Sequence, residues 1–336
     1  MIIDFRSDTV TKPTPAMLEA MMTAKVGDDV FGEDPSINKL EQKSSDMFGM
    51  EAGLFCPSGT MTNQIAIKCH TQPGDEVICD ESAHVYQYEG GGIAFNSGAS
   101  VKLLYGDRGR MDAEQVKAAI NQDDDHKAHT SLVCLENTSN RGGGSCYDLN
   151  EIKKIKQVCR ENDLGLHLDG ARLWNAMVAK NETPKQYGET FDSISICLSK
   201  GLGCPVGSVL LGKKDFIKKA RRIRKVFGGG MRQGGFIAAA GIFALKNNIE
   251  RLKQDHDHAK QIGDAIAHNP MTKSVFPVET NIIIFETVAA AATIVEKLKK
   301  KNILCYATAP DRVRLVVHLD ITEEMVNKTI EVIKGI

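Results

Sequence analysis

Lys200 closes the run Asp192-Ser-Ile-Ser-Ile-Cys-Leu-Ser-Lys200 and stands 31 residues after Asp169 in Leu166-His-Leu-Asp-Gly-Ala-Arg172. Both follow short apolar runs of strand type. A lysine amine can condense with the aldehyde of pyridoxal phosphate, and an aspartate can pair with its pyridinium nitrogen so that the ring draws electrons from a bound amino acid. The pair therefore points to amino-acid chemistry. Taken singly, each residue also reads as a solvated strand end or a helix cap.

A third element lies upstream. Phe55-Cys-Pro-Ser-Gly-Thr-Met61 leads from a short apolar strand through small residues into the helical pattern from Met61 to His70. The backbone N–H groups of such a helix start, with the hydroxyls of Ser58 and Thr60 and the open approach at Gly59, form a phosphate cradle. The same residues also suit an ordinary capped strand-to-helix turn.

These residues need a frame, and the chain alternates short apolar strands with amphipathic helices. Glu76 to Cys79, Val101 to Leu104, Ser131 to Leu135, Leu164 to Leu168, Ser193 to Cys197 and Ser208 to Leu211 read as strands. Their unbroken apolar character suits strands covered on both faces. Between them, Ala113 to Ile120 and Leu149 to Asn162 have helical spacing. The fold class is α/β, with a mostly parallel central sheet covered by helices.

After Gly212 the pattern changes. A basic amphipathic helix over Lys213 to Val226 meets the break Gly228-Gly-Gly230, and helices follow over Gly234 to Leu245 and Ile249 to His268. The segment Val275 to Phe285, a helix Ala289 to Lys300, a strand Val313 to Val317 and a helix Glu323 to Lys334 read as a smaller C-terminal α+β unit. The expected organisation is an N-terminal arm (1–15) packing toward the site, a large domain (16–249) and a small domain (250–336).

Composition narrows the partners. A chain of 336 residues with a formal net charge of -1 is a poor electrostatic match for nucleic acid or an anionic membrane. No run of about 18 apolar residues is present, and no secretory h-region opens the chain, so a cytoplasmic protein is expected. The nine cysteines include no CxxC pair, so no metal site is expected, and they read as buried apolar residues. Cys56 and Cys204, next to proposed site elements, are the two with any expectation of reactivity. The glycine triplets at 90, 142 and 228 are not dinucleotide fingerprints but tight turns or close approaches.

The blocks Asp4-Phe-Arg-Ser-Asp-Thr-Val-Thr-Lys-Pro13, Val26-Gly-Asp-Asp-Val-Phe-Gly-Glu-Asp-Pro35, Pro57-Ser-Gly-Thr60, His84 with Tyr88-Glu89, Glu136-Asn-Thr138, His167-Leu-Asp-Gly-Ala-Arg172, Leu198-Ser-Lys-Gly201, Pro205-Val-Gly-Ser208 and Gly228-Gly-Gly-Met-Arg-Gln233 span nearly the whole chain. In this order they resemble the low-specificity L-threonine aldolases, lyases of the aspartate aminotransferase superfamily with pyridoxal 5'-phosphate as cofactor and fold type I. The resemblance implies cleavage of L-threonine or L-allo-threonine to glycine and acetaldehyde. It implies Lys200 and Asp169 as cofactor ligands, Ser58, Gly59 and Thr60 at the phosphate, and His84 stacked on the ring near the substrate hydroxyl as a proton acceptor. It further implies Arg172 and Arg314 with Ser7 around the substrate carboxylate, Tyr88 beside them, and Arg232 reaching the phosphate from a neighbouring subunit. A homo-oligomer is thus expected, a dimer at least and commonly a tetramer.

Two positions depart from the family pattern. Ser139 stands where a histidine near the β-hydroxyl is usual, and Phe31 where a tyrosine is usual; both belong to the expected substrate side. A serine hydroxyl can share a hydrogen bond but cannot titrate near neutrality. The same cofactor and frame also serve β-eliminating lyases and transaminases, in which Lys200 would carry the proton, and a binding protein that retains the fold is the third alternative.

Overall fold

The computed structural model describes residues 1–336. The strands in chain order are β1 (Ile3–Asp4), β2 (Ala52–Cys56), β3 (Glu76–Asp80), β4 (Ser100–Leu104), β5 (Thr130–Glu136), β6 (Gly165–Gly170), β7 (Ser193–Cys197), β8 (Ser208–Gly212), β9 (Thr272–Val275), β10 (Ile282–Thr287), β11 (Ile303–Leu304), β12 (Tyr306–Ala309) and β13 (Arg312–Val316). Seven of them form one sheet in the order β2-β8-β7-β6-β5-β3-β4. Only β8 runs against the others. The strands β7 and β8 are buried at every position, as strands covered on both faces are, and the serines of β7 are satisfied by hydrogen bonds, Ser193 to His167 and Ser195 to Thr62.

Helices cover both faces of this sheet, and their ends follow local chemistry. The helix Pro35–Phe48 starts at Asp34, whose carboxylate accepts from the N–H groups of Ser36 and Ile37, and ends at Gly49 in the left-handed region (φ 65°), a sequence of cap, N1 proline and C-terminal glycine. The helix Gly59–His70 starts at Ser58, whose hydroxyl accepts from the Met61 N–H. No helix is long and apolar enough to cross a membrane.

A second sheet, in the order β12-β13-β10-β9, is antiparallel throughout. It has its own apolar core, which includes Phe285, Val313, Leu315 and Ile333. The helix Leu252–Ala267 bridges the two cores: Leu252 packs into the large one, and Ala259, Ile262 and Ile266 into the small one. The N-terminal arm is part of the small unit, because β1 pairs in parallel with β11 and the Phe5 carbonyl accepts from the Val316 N–H. Ile3 and Phe5 are buried in that core, so an anchored arm then delivers Ser7 and Asp8 toward the large sheet.

Several differences from the sequence reading have physical causes. The strand expected at Leu164–Leu168 runs Gly165–Gly170, because pairing with β5 and β7 carries the ladder through Asp169. The segment Val275–Phe285 is not one element: β9 and β10 form an antiparallel pair joined by a loop. The helices Pro15–Met22 and Leu173–Lys180 give no apolar period, since the first buries Met17 alone and the second buries five consecutive residues from Leu173 to Met177.

Phe5 is fully buried, so Phe5→Ala is expected to cost about 3–5 kcal/mol. The cost should appear as a lower urea midpoint of the native chain, with the slope of the transition unchanged.

Candidate active site

In parallel sheets ligands settle outside the carboxyl ends of the strands, and three neighbouring strands bring chemistry to that edge here. Glu136 ends β5, Asp169 lies opposite it one residue from the end of β6, and Asp169 in turn pairs with Ser195 of β7, two residues before Cys197. The chain continues from β7 to Lys200. A cleft of about 280 Å³ at this edge is lined by Ser7, Thr9, His84, Tyr88, Glu136, Asn140, Arg141, Ala171, Arg172, Lys200 and Arg314. It thus draws on the arm, the ends of β3, β5, β6 and β7, and β13 of the small sheet.

Asp169 is held from two sides: its Oδ2 accepts from Asn63 Nδ2 at 2.9 Å and its Oδ1 from the Ala171 N–H at 3.0 Å. Asn63 also donates to Glu89 Oε1 at 2.9 Å, and Glu89 meets His84 Nδ1 at 3.0 Å. Behind Asn63 its Oδ1 meets His167, whose other ring nitrogen meets the Ser193 hydroxyl, which also meets His70. Burial pushes His167 down to about 3 and His70 down to about 4, so both rings are neutral in this chain of hydrogen bonds near pH 7. A nitrogen of His84 and oxygens of Glu89 and Asp169 lie within 4.8 Å of one another. The Asn63 amide donates into both carboxylates, which argues against a shared cation.

His84 is oriented twice. Its backbone N–H donates to Glu136 Oε2 at 2.8 Å, and its ring faces Glu89. Burial opposes the imidazolium, but the Glu89 hydrogen bond and the carboxylates of Asp169 and Glu136 outweigh it and raise the pKa above the ordinary 6.5. Burial and the neighbouring Asp169 in turn push the Glu136 carboxyl up. The Tyr88 ring lies 5.7 Å from the His84 ring.

The cations differ sharply in how they are compensated. Arg172 is buried and forms a bidentate pair with Asp8 at 2.8 and 2.7 Å. Arg314 donates to Asn140 Oδ1 at 2.6 Å and to the Arg6 carbonyl at 3.0 Å, but has no carboxylate partner, and its Nε has no partner at all. Burial, then the like charges of Arg172 and Arg141, pull it down to about 10. The Lys200 ammonium has one hydrogen-bond partner, Cys197 Sγ at 3.4 Å.

Other expected residues are not among those lining the cleft. Ser58 and Thr60 are exposed at the start of the helix Gly59–His70, where the Gly59 and Thr60 N–H groups have no partner within the helix. Arg232 is largely exposed and pairs with Asp28 at 3.1 Å. Phe31 is 73% exposed. Ser139 is buried, accepts from the Gly142 N–H at 3.2 Å, and is absent from the cleft wall. The expected reactivity of Cys56 and Cys204 is not supported: both are buried, and burial pushes their thiols up, Cys56 to about 12. Cys197 is the thiol beside the site lysine.

Sequence reasoning did not single out Asp8, Asn63, Asn140, Arg141 or Cys197. Asn63 carried a local signal, shared with Thr62 and Gln64: polar side chains in the buried part of a helix. Asn140 and Arg141 are turned into the cleft by the glycines that follow, Gly143 and Gly144, which take φ of 78° and 71°, a backbone region open to glycine.

A family model for beta-eliminating lyases matches residues 4–290. The low-specificity L-threonine aldolase of Escherichia coli is 43% identical over 325 residues, covering 96% of this chain and 96% of that protein. The chain belongs to the low-specificity L-threonine aldolase family. Low-specificity L-threonine aldolase 1 of Arabidopsis thaliana is similarly related, 40% identical and covering 98% of this chain and 94% of that protein. The structure of a threonine aldolase from Leishmania major superposes with a TM-score of 0.87 at 22% identity, covering 99% of both chains. The expected aldolase-family fold is thus borne out for this aldolase.

Within this aldolase the Asp8 carboxylate is fully buried, and although burial opposes its charge, Arg172 holds it below the ordinary carboxylate range. Asp8→Ala would leave a buried guanidinium unpaired. A loss of about 3–5 kcal/mol in unfolding free energy is expected, read from denaturant titration, with Asp8→Glu losing less.

Proposed function

We propose that this chain cleaves β-hydroxy-α-amino acids of the threonine type into glycine and an aldehyde, with pyridoxal 5'-phosphate as cofactor. The observation that carries the proposal is the convergence of Lys200, His84, Ser7 and the uncompensated Arg314 on one cleft in a chain that aligns over almost its full length with L-threonine aldolases.

The residues suit the cofactor. Lys200 offers an amine without a carboxylate partner, Asp169 a buried carboxylate with fixed orientation for a pyridinium nitrogen, and Ser58, Gly59 and Thr60 a helix start with free N–H groups. When bound, the cofactor supplies an electron sink for the pair released at Cα. The protein's own share is to bind, orient and move protons. Arg314, with Ser7 at the mouth, takes the substrate carboxylate, and its rigid guanidinium sets which bond at Cα faces the ring. Arg172, tied to Asp8, shapes that seat from below. His84, in its neutral form, accepts the proton of the β-hydroxyl, and Glu89 fixes which ring nitrogen is presented.

A second copy of the chain belongs to this reading. The side chain of Arg232 is 59% exposed, and Phe31, Phe95 and Val226 are exposed at 73%, 90% and 80%. Phe31, whose N–H donates to the Asp28 carboxylate that pairs with Arg232, puts an exposed ring beside that cation, and this suits a contact between subunits to which Arg232 would bring its charge.

Lys200→Ala should abolish both the visible absorbance of the purified protein and acetaldehyde release from L-threonine and L-allo-threonine; retention of both would refute the assignment. Because the His84 pKa is raised, its ring stays protonated at pH 6.5 and becomes a base only above that. The acid limb of the kcat/KM profile is therefore expected above pH 6.5, and Glu89→Gln should move it to lower pH. A limb unmoved by Glu89→Gln would show that another group titrates.

A further inference from the structure

The charges that line the cleft do not balance. Arg172 is neutralised by Asp8, and Arg314 is reserved, in the proposed reading on which this inference rests, for the substrate's α-carboxylate. That leaves Arg141. Its guanidinium forms no ion pair and no hydrogen bond with any protein group, its Nε is shielded from solvent without a partner, and its charged end lies over the Tyr88 ring at 4.9 Å from the centroid. A guanidinium held on an aromatic face keeps its N–H edge free for an acceptor. Shielding an N–H from water with no acceptor costs free energy, and an anion entering the cleft would remove that cost.

Its position indicates which part of the substrate it meets. The Tyr88 ring that carries Arg141 is the neighbour of the His84 ring, and His84 is the group assigned to the β-hydroxyl. Arg314 lines the same cleft, held by the Arg6 carbonyl and by Asn140, the residue that precedes Arg141, so two cations face one substrate-sized space. A substrate with its α-carboxylate on Arg314 and its β-hydroxyl at His84 directs its remaining β-substituent toward Tyr88 and Arg141. The methyl group of threonine offers that guanidinium nothing.

We infer that Arg141 is a specificity-determining residue that receives a second carboxylate, carried on the substrate's β-carbon, so that the favoured substrates are β-hydroxy-α-amino dicarboxylates of the β-hydroxyaspartate type. The reaction is the same cleavage. The Cα–Cβ bond breaks, the β-hydroxyl proton leaves, Cα gains a proton, and the products are glycine and glyoxylate with no net oxidation or reduction. Arg141 takes no part in the proton transfers. Its role is to lower the energy of the bound dicarboxylate through a charge-assisted hydrogen bond.

The test measures kcat/KM of the holoenzyme on the threo and erythro forms of L-β-hydroxyaspartate, detecting glyoxylate, and on L-threonine, detecting acetaldehyde. The better β-hydroxyaspartate form is expected to exceed threonine. In Arg141→Gln the ratio of the two kcat/KM values should fall by about tenfold or more, the scale of losing one hydrogen bond to a charged group, and Arg141→Lys should restore part of it. A ratio unchanged in Arg141→Gln overturns the inference, and an equal loss on both substrates would place Arg141 at the α-carboxylate instead. Threonine cleavage without any glyoxylate release overturns it while leaving the aldolase reading intact. If no β-hydroxy amino acid is cleaved, the aldolase reading fails and this inference fails with it.

Discussion

The buried pair between Arg172 and Asp8 joins the three parts of the molecule that the site needs. Arg172 follows the end of β6 in the large sheet, and Asp8 comes from an arm whose Ile3 and Phe5 are embedded in the core of the small unit. Asn281, at the start of β10 in that unit, also donates to Asp8. A pair of this kind adds little net stability over an apolar contact, because removing both charges from water costs nearly what their attraction returns. Its value is geometric, since each partner is strongly unfavourable without the other. The arm, the large sheet and the small sheet therefore have one register in which neither charge is stranded, and the cleft is the space left between them.

From that constraint the electrostatics follow. Asp8 cancels one guanidinium, so the cleft keeps two without a carboxylate partner: Arg141 over the Tyr88 ring and Arg314 of β13, whose neighbours are a carbonyl and an amide. The carboxylates at this edge are turned the other way. Asp169 and Glu89 share the Asn63 amide, and Glu136 accepts from the His84 and Asn140 backbone N–H groups. Anions thus lie beside the histidine, and positive charge comes from Arg314 of the small sheet and Arg141 of the loop after β5. Such a separation favours an amino acid entering carboxylate first, with its hydroxyl carried to His84.

Rigid strand ends place the groups that must not move, and loops place those that adapt. Glu136 and Asp169 are fixed by ladder pairing to within one residue of each other across β5 and β6. Asn140 and Arg141 instead ride on a turn whose glycines permit positive φ, wedged beside Thr280 and Ile282 of the small unit. A single loop thereby supplies both the amide that steadies Arg314 and the guanidinium that stands over Tyr88.

Much of the frame was legible in the residues. The strands Ser193–Cys197 and Ser208–Gly212 carry only apolar or small side chains because both sheet faces are covered, and the helix Glu323–Lys334 follows its apolar period and its Thr322 cap. The local chemistry of Lys200, Asp169 and the Pro57-Ser-Gly-Thr60 turn is likewise written in short contiguous blocks, where residue type and strand or helix ends suffice. What the chain order cannot express is which distant side chain satisfies which. That Asp8 neutralises Arg172 across 164 residues, that Asn63 joins Glu89 to Asp169, and that Arg141 has no partner while Arg172 has one are outcomes of packing. Periodicity and local motifs determined the elements and the reactive residue types, whereas the long-range pairing of buried charges, which depends on distances set only when the sheets and arm close together, was decided by the tertiary structure.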